Sequence, residues 1–202
     1  MLHCPNLLKL EFLVEDVGGI HIPLQLFLGH WSRLVSIRLE GTISFESEKK
    51  GSERQILSRF LSRHITLQGL YLKITNLNFL DYMTDGSLPH LRALSLSGLR
   101  TGGAQASFSG PMRAILPQLR HISWEFHVDD FSFVRQMVCL QSCDAIISTE
   151  TEANVTYLIR CLPPSLQRLN ISSRLHWSLS VEEVCAFQLS IRITDNLCVS
   201  AP

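Results

Sequence analysis

The chain has no excess of either charge: 18 Lys and Arg residues stand against 18 Asp and Glu, for a formal net charge of zero. That balance excludes the basic footprint by which general nucleic-acid binders hold phosphate backbones. It also removes any attraction to anionic lipid. Apolar runs are short, and none reaches the ~20 residues that span a bilayer. The opening Met1-Leu2-His3-Cys4-Pro5-Asn6 lacks a basic stretch leading into an apolar one, so no secretory signal is legible. The six cysteines include no C-x-x-C pair. Reduced thiols in a cytoplasmic or nuclear protein are the expectation. In that setting Asn154-Val155-Thr156 and Asn170-Ile171-Ser172 match the glycosylation pattern in wording only. Two catalytic signatures are missing as well. No G-x-S-x-G elbow occurs, and Gly102-Gly103 is followed by neither G-K-[ST] nor a G-x-x-G spacing.

What the chain does have is a row of aliphatics that recurs. It reads Leu7-x-x-Leu10-x-Phe12, Leu34-x-x-Ile37-x-Leu39, Leu67-x-x-Leu70-x-Leu72, Leu91-x-x-Leu94-x-Leu96, Leu119-x-x-Ile122-x-Trp124 and Leu166-x-x-Leu169-x-Ile171. A decayed copy lies at Leu140-x-x-Cys143-x-Ala145, and successive starts are 21–33 residues apart. Periods of that size signal a stacked array, in which no unit can bury its apolar row alone. Within a row the period is 2, so Leu70 and Leu72 point one way and Gly69, Tyr71 and Lys73 the other. Between rows it becomes helical. Gly51 to Arg63 gathers Ile56, Leu57, Phe60 and Leu61 on one face, with Ser52-x-x-Gln55 as a capping box. Asn154 to Leu162 does the same through Val155, Leu158, Ile159 and Leu162, and Pro163-Pro164 stops it. Ser180-x-x-Glu183 opens a third helix, and Asp129 or Asp130 caps a turn through Phe133, Val134 and Met137. Proline precedes four rows, at Pro5, Pro89, Pro117 and Pro164, where it ends the preceding helix and sets an extended entry.

The predicted unit is therefore strand, loop, helix, loop, with parallel strands joined by right-handed crossovers. Seven rungs would make a ladder ~30 Å long. The fold class expected is α/β: an irregular solenoid of about seven repeats, a parallel strand ladder backed by helices. Residues 1–192 form the array and 193–202 a frayed or disordered tail. Residues 46–52 and 101–107, polar or glycine-rich, are solvated loops. Trp31, Trp124 and Trp177 are packing residues, with Trp124 replacing an aliphatic in the fifth row.

These rows resemble the leucine-rich repeat family, best at Leu67-x-x-Leu70-x-Leu72-x-x-Thr75-x-Leu77. The family's usual asparagine or cysteine is replaced there by Thr75, and elsewhere by Glu15, Thr42, Leu99, His127 and Arg174. Loss of that asparagine ladder implies an irregular solenoid rather than a regular horseshoe. The P-x-L-x-x-L-x-L wording and uneven spacing are similar to the repeats of fungal F-box proteins, over roughly Cys4 to Ser172. That resemblance implies the substrate-recognition part of a ubiquitin ligase receptor, with a ligase adaptor as partner if an F-box lies upstream. No F-box is recognisable within the chain. Met1 falls directly before the first row, so no N-terminal cap is legible, and a fragment of a longer protein or a gene copy that has lost its adaptor-binding part is expected.

Three kinds of site compete with plainer roles for the same residues. His121, His127, Cys139 and Cys143 share a 23-residue window, but H-x5-H with C-x3-C fits no compact zinc motif, so no metal or other cofactor is expected. Cys161 follows Arg160 near a helix end, yet reads better as a core cysteine. Asp129-Asp130 and Glu182-Glu183 sit where helices start, a position that favours acidic side chains. The stronger candidate is a concave strand face made of Lys9, Glu11, Arg38, Glu40, Tyr71, Lys73, His121, Glu125, Arg168 and Asn170. Open solenoid surfaces bind partners through such residues, and Arg and Tyr anchor many interfaces. The expected function is non-catalytic protein binding, with no nucleic-acid or membrane partner. A free-standing scaffold or truncated paralogue is the alternative, and a thiol or hydrolytic enzyme on a repeat frame is the reading from another class.

Overall fold

The structure, a computed structural model, describes residues 4, 6–13, 22–29, 31–44, 50–74, 83–84, 86–97, 112–125, 131–147, 152–173 and 190–194. Its centre is one eight-stranded parallel sheet. The strands are β1 (Lys9–Leu13), β3 (Ser36–Gly41), β5 (Gly69–Ile74), β6 (Ala93–Ser97), β7 (His121–Glu125), β8 (Ser142–Ile147), β9 (Arg168–Ser173) and β10 (Ser190–Thr194), in that spatial order. Two short strands, β2 (Ile22–Pro23) and β4 (Ile43–Ser44), pair separately. Sequence order equals spatial order along the main sheet, as a stacked array requires.

Register carries the rows. Leu10, Ile37, Leu70, Leu94, Ile122, Cys143, Leu169 and Ile191 are successive Cα partners. Phe12, Leu39, Leu72, Leu96, Trp124, Ala145, Ile171 and Ile193 are the next set on the same side. From Ile37 to Leu169 and from Leu39 to Ile171 these side chains are buried. Each fully buried aliphatic contributes ~1.5–3 kcal/mol relative to exposure, so the two rows are the core of the molecule. The decayed sixth row takes its place in full, with Leu140, Cys143 and Ala145 all buried.

Ahead of each strand the chain repeats one turn. The leading leucine's N–H donates to the carbonyl three residues back: Leu7 to Cys4, Leu34 to Trp31, Leu67 to His64, Leu91 to Leu88, Leu119 to Leu116, Leu140 to Met137 and Leu166 to Pro163, at 3.0–3.2 Å. The second residue of that turn is Pro89, Pro117 or Pro164 at three rungs. Proline's fixed φ suits that slot. The prolines therefore act inside the turn, not only as helix stops. At the first of them, Leu88 is buried with φ of 53°, a left-handed backbone unusual for leucine. Gly86, with φ of 79°, sits in the same bend, where a side chain would be strained.

After the turn, one carbonyl serves two donors. Leu8 O accepts from Val35 N and Ser36 N, Val35 O from Gln68 N and Gly69 N, and Gln68 O from Arg92 N and Ala93 N. The pattern continues through Arg92, Arg120 and Gln141 to Arg168, with distances of 2.7–3.1 Å throughout. Two hydroxyls add to it: Thr66 Oγ1 donates to Leu34 O and Ser165 Oγ to Leu140 O, both at 2.8 Å. Cross-rung bonding thus comes from main chain and hydroxyls. Of the slots where the family places asparagine, Thr42 is described, and its carbonyl accepts from Ile22 N at 2.7 Å. Glu15, Thr75, Leu99, His127 and Arg174 lie outside the described residues.

The back layer differs from a helix per unit. Helix α1 (Lys50–Arg63) joins β3 to β5 and α3 (Glu152–Cys161) joins β8 to β9. Elsewhere the described back elements are short: 3-10 turns at Leu24–Leu28, Leu116–Gln118 and Ser132–Gln136, and a single turn, α2 (Met112–Ile115). Leu57, Phe60 and Leu61 of α1 are buried while Arg59 and Ser62 are exposed, as the helical period predicts. Helix α1 begins at Lys50, so Ser52 lies inside it instead of capping it. The Ser132–Gln136 turn has Phe131 at its N-cap position with no side-chain cap, and Asp129 and Asp130 lie outside the described residues. Aromatic contacts tie the back layer to itself and to the sheet. Phe60 packs edge-on to Phe27 at 5.2 Å, and Trp124 meets Phe133 at 5.8 Å. Trp31 and Trp124 are buried as expected.

The array also runs further than 192. β10 pairs with β9 through Thr194, an eighth rung where a rowless tail was expected. Residues 195–202, the loop at 101–107, Trp177 and the helix proposed from Ser180 lie outside the described residues.

Candidate functional site

The strand positions that alternate with the core rows form a second surface. Register aligns Lys9, Ser36, Gly69, Ala93, His121, Ser142 and Arg168 in a first line. Glu11, Arg38, Tyr71, Ser95, Ser123, Asp144 and Asn170 make a second, and Leu13, Glu40, Lys73, Ser97 and Glu125 a third. Lys9, Glu11, Arg38, Lys73 and Arg168 are exposed, while Glu40, Tyr71, His121 and Asn170 are half-buried. The ten residues expected on one strand face are therefore all at face positions. The side chain of Glu125 lies outside the described part of the chain.

These residues separate into two charged groups. On β1, β3 and β5, Lys9 Nζ lies 2.7 Å from Glu11 Oε1, and Glu40 sits between Lys73 Nζ at 2.5 Å and Arg38 Nη2 at 3.6 Å. The Lys73 hydrogen bond holds the Glu40 carboxyl below its ordinary pKa against the opposing effect of burial, with Lys73 and Arg38 charge adding to it. Lys9 lowers Glu11 in the same way. Being solvated, such pairs add little to stability, so their main consequence is a defined charge pattern.

The second group lies on β7, β8 and β9. Asp144 Oδ2 is 3.7 Å from His121 Nε2 and 3.9 Å from Arg168 Nη2, and Arg168 Nε donates to Ser142 Oγ at 2.9 Å. Burial lowers the His121 pKa first. Asp144 opposes that and Arg168 adds to it. The imidazole is thus neutral at pH 7, and its contact with Asp144 is too long for a hydrogen bond. Asn170 Oδ1 beside this group is buried without a hydrogen-bond partner among the described residues.

Between the groups the surface is low. A Cβ built on Gly69 would come within 2.9 Å of Tyr71 Cε2 and 3.3 Å of Ser36 Oγ. The Tyr71 ring therefore leans across Gly69, using the space its missing side chain leaves. Ala93, Ser95, Ser97 and Ser123 continue this floor toward Asp144. The arrangement offers both charge signs, an aromatic ring and small polar groups on a sheet face that no described element covers. Asp144 and Ser142 were not among the expected residues. The alternation of the decayed sixth row carries them, since they flank Cys143, but face positions were read only from stronger rows.

The other candidates resolve by geometry. Cys143 faces the core and is the strand partner of Ile122, whereas His121 faces the opposite side, so the two cannot share a tetrahedral centre. Among the described residues no group of three or more His, Cys, Asp or Glu is placed to hold a metal ion. Burial pushes the Cys143 thiol far up, so it stays protonated at neutral pH. Cys161 is buried at the end of α3, the core position expected of it. No described helix is long and apolar enough to cross a membrane.

No protein-family profile matches the chain. No curated protein matches it either. Among solved structures it is similar to an internalin from Listeria monocytogenes strain 4b F2365, with 18% identity and a TM-score of 0.45. That likeness covers 84% of this chain but 43% of the internalin, so the chain spans less than half of that structure's length.

Proposed function

We propose that this chain is a non-catalytic protein-recognition module whose partner lies across the open face of the parallel sheet. The observation that carries this reading is the division of labour between the two sides of each strand. One side is consumed by the core, while the other aligns Arg38, Tyr71, Lys73, Asp144 and Arg168 on a surface that no described element covers. Long cationic side chains and a tyrosine are frequent anchors of protein interfaces, and extended sheet surfaces are how stacked arrays engage partners.

The finer reading rests on the repeat wording, including proline inside the pre-strand turn at Pro89, Pro117 and Pro164. On that reading the module selects substrates for an F-box-type ubiquitin ligase in the cytoplasm or nucleus, and separate machinery does the chemistry. Affinity capture with three proteins tests the proposal: wild type, Arg38→Glu/Lys73→Glu on the face, and Arg59→Glu on the exposed side of α1. The face variant should lose partners that the helix variant keeps. Equal recovery by the face variant would remove this surface as the site. An F-box in the sequence upstream of Met1, with a ligase adaptor among the captured proteins, would support the finer reading. Partners without an adaptor would leave a free-standing scaffold.

A further inference from the structure

The outer edge of β1 is the one on which no described strand pairs. β1 ends the sheet, and among the described residues no strand lies beyond it. Its core positions Leu7, Leu10 and Phe12 are only partly buried, whereas the equivalent residues Leu34, Ile37 and Leu39 of the next rung are fully so. Leu8 and Leu13 at its ends are 51% and 56% exposed. Because Leu8 O accepts from Ser36 N, the main-chain groups of even-numbered residues face β3. Those of Lys9, Glu11 and Leu13 therefore face outward, an open edge of the kind that templates strand addition.

The sequence Leu7-Leu8-Lys9-Leu10-Glu11-Phe12-Leu13 is close to a chemical palindrome about Leu10. Laid antiparallel on its own copy with Leu10 opposite Leu10, it sets Lys9 against Glu11 and Glu11 against Lys9. Leu8 then meets Phe12. This register also brings outward-facing Lys9 opposite outward-facing Glu11, the hydrogen-bonded pair an antiparallel ladder needs. Sliding the copies by two residues either way places Lys9 on Lys9 or Glu11 on Glu11, which like-charge repulsion disfavours. A slide of one residue turns core side chains to the open face.

We propose that the protein forms a two-fold dimer through antiparallel β1–β1 pairing centred on Leu10, joining two sheets and their open faces into one surface. Sedimentation over a rising concentration series should show the mass climb from 22.9 kDa toward twice that value. Glu11→Lys should weaken the dimer about tenfold or more, since it opposes two lysine pairs, with the circular dichroism unchanged. Adding Lys9→Glu should restore it. In a Cys4→Ser background, Leu10→Cys should cross-link on mild oxidation, because directly opposed residues of a non-hydrogen-bonded pair have Cα atoms ~4.5 Å apart. A wild-type protein that stays monomeric at the highest concentration would overturn the proposal. So would a dimer indifferent to Glu11→Lys with no cross-link through Leu10→Cys.

Discussion

At the scale of single residues, two small groups have effects out of proportion to their size. Thr66 and Ser165 occupy the same turn position at different rungs and donate to the preceding leading leucine's carbonyl, Leu34 O and Leu140 O. Both hydroxyls are partly buried, so removing one leaves an acceptor poorly hydrated as well as unbonded. Thr66→Val keeps the volume and should cost ~1 kcal/mol of unfolding free energy in urea titration, and Ser165→Ala about the same. A change at an exposed serine such as Ser62 should be near zero by comparison. His121 acts through protonation. Burial, with Arg168 adding to it, lowers its pKa from 6.5 against the pull of Asp144. The folded state therefore binds this proton less readily than the unfolded chain. The stability concerned is fully present above about pH 6.5 and is lost as pH falls through the lowered folded value. His121→Gln should flatten the decline in unfolding free energy between pH 7.5 and 5.5. If the variant declines as steeply as wild type, another group carries that pH dependence.

At the scale of elements, the pre-strand turn explains residues that otherwise look misplaced. Ile65 and Val138 are large apolar side chains with 54% and 62% exposure. Each stands at the turn position that Pro89, Pro117 and Pro164 hold elsewhere, an outer corner where any side chain points to water. Among the described residues the Ile65 N–H makes no main-chain hydrogen bond, whereas Val138 N donates to Gln136 O at 3.0 Å. Ile65→Pro should therefore raise stability by ~0.5 kcal/mol, by restricting the unfolded chain at a compatible position. Val138→Pro should lower it, because the same ring removes a donor in use. Thermal melts of the two variants should move in opposite directions. This turn was half legible in sequence. The prolines marked it, but its other members, Ser32-Arg33, Ile65-Thr66 and Val138-Cys139, have nothing in common that a residue pattern detects. The back layer was less legible still. Helical periodicity marks α1 and α3, and Phe133, Val134 and Met137 mark the Ser132–Gln136 turn, while the 3-10 turns at Leu24–Leu28 and Leu116–Gln118 are too short for a 3.6-residue period to declare itself.

At the scale of the whole molecule, the rows determine the architecture because burial on one side of every strand enforces register along the entire ladder. That is why widely spaced leucines sufficed to foresee a parallel array, and why the decayed sixth row still took its place. Rung eight escaped because Gln188 stands where the leading leucine would be, leaving only Ile191 and Ile193 of the motif. The candidate face was legible to the same extent as the rows, since its residues are simply the alternate positions. Pairing among those residues was not legible, because Glu40 meets Lys73 across 33 positions of sequence. Each strand pairs only with its immediate neighbours, so stability should be close to a sum over adjacent rungs. Trp124 tests this, being the largest fully buried side chain and packed against Phe131 and Phe133 near the middle of the array. Trp124→Ala should cost ~3–5 kcal/mol, a large part of the ~5–15 kcal/mol typical of a domain. In a nearest-neighbour array the loss is local. Amides of β7, β8 and β9 should become the first to exchange with deuterated solvent, while those of β5 and β3, two and three rungs away on the far side of β6, keep most of their protection. Uniform loss of protection from β3 to β9 would mean that the rungs unfold as one cooperative body, and the additive description of this solenoid would fail.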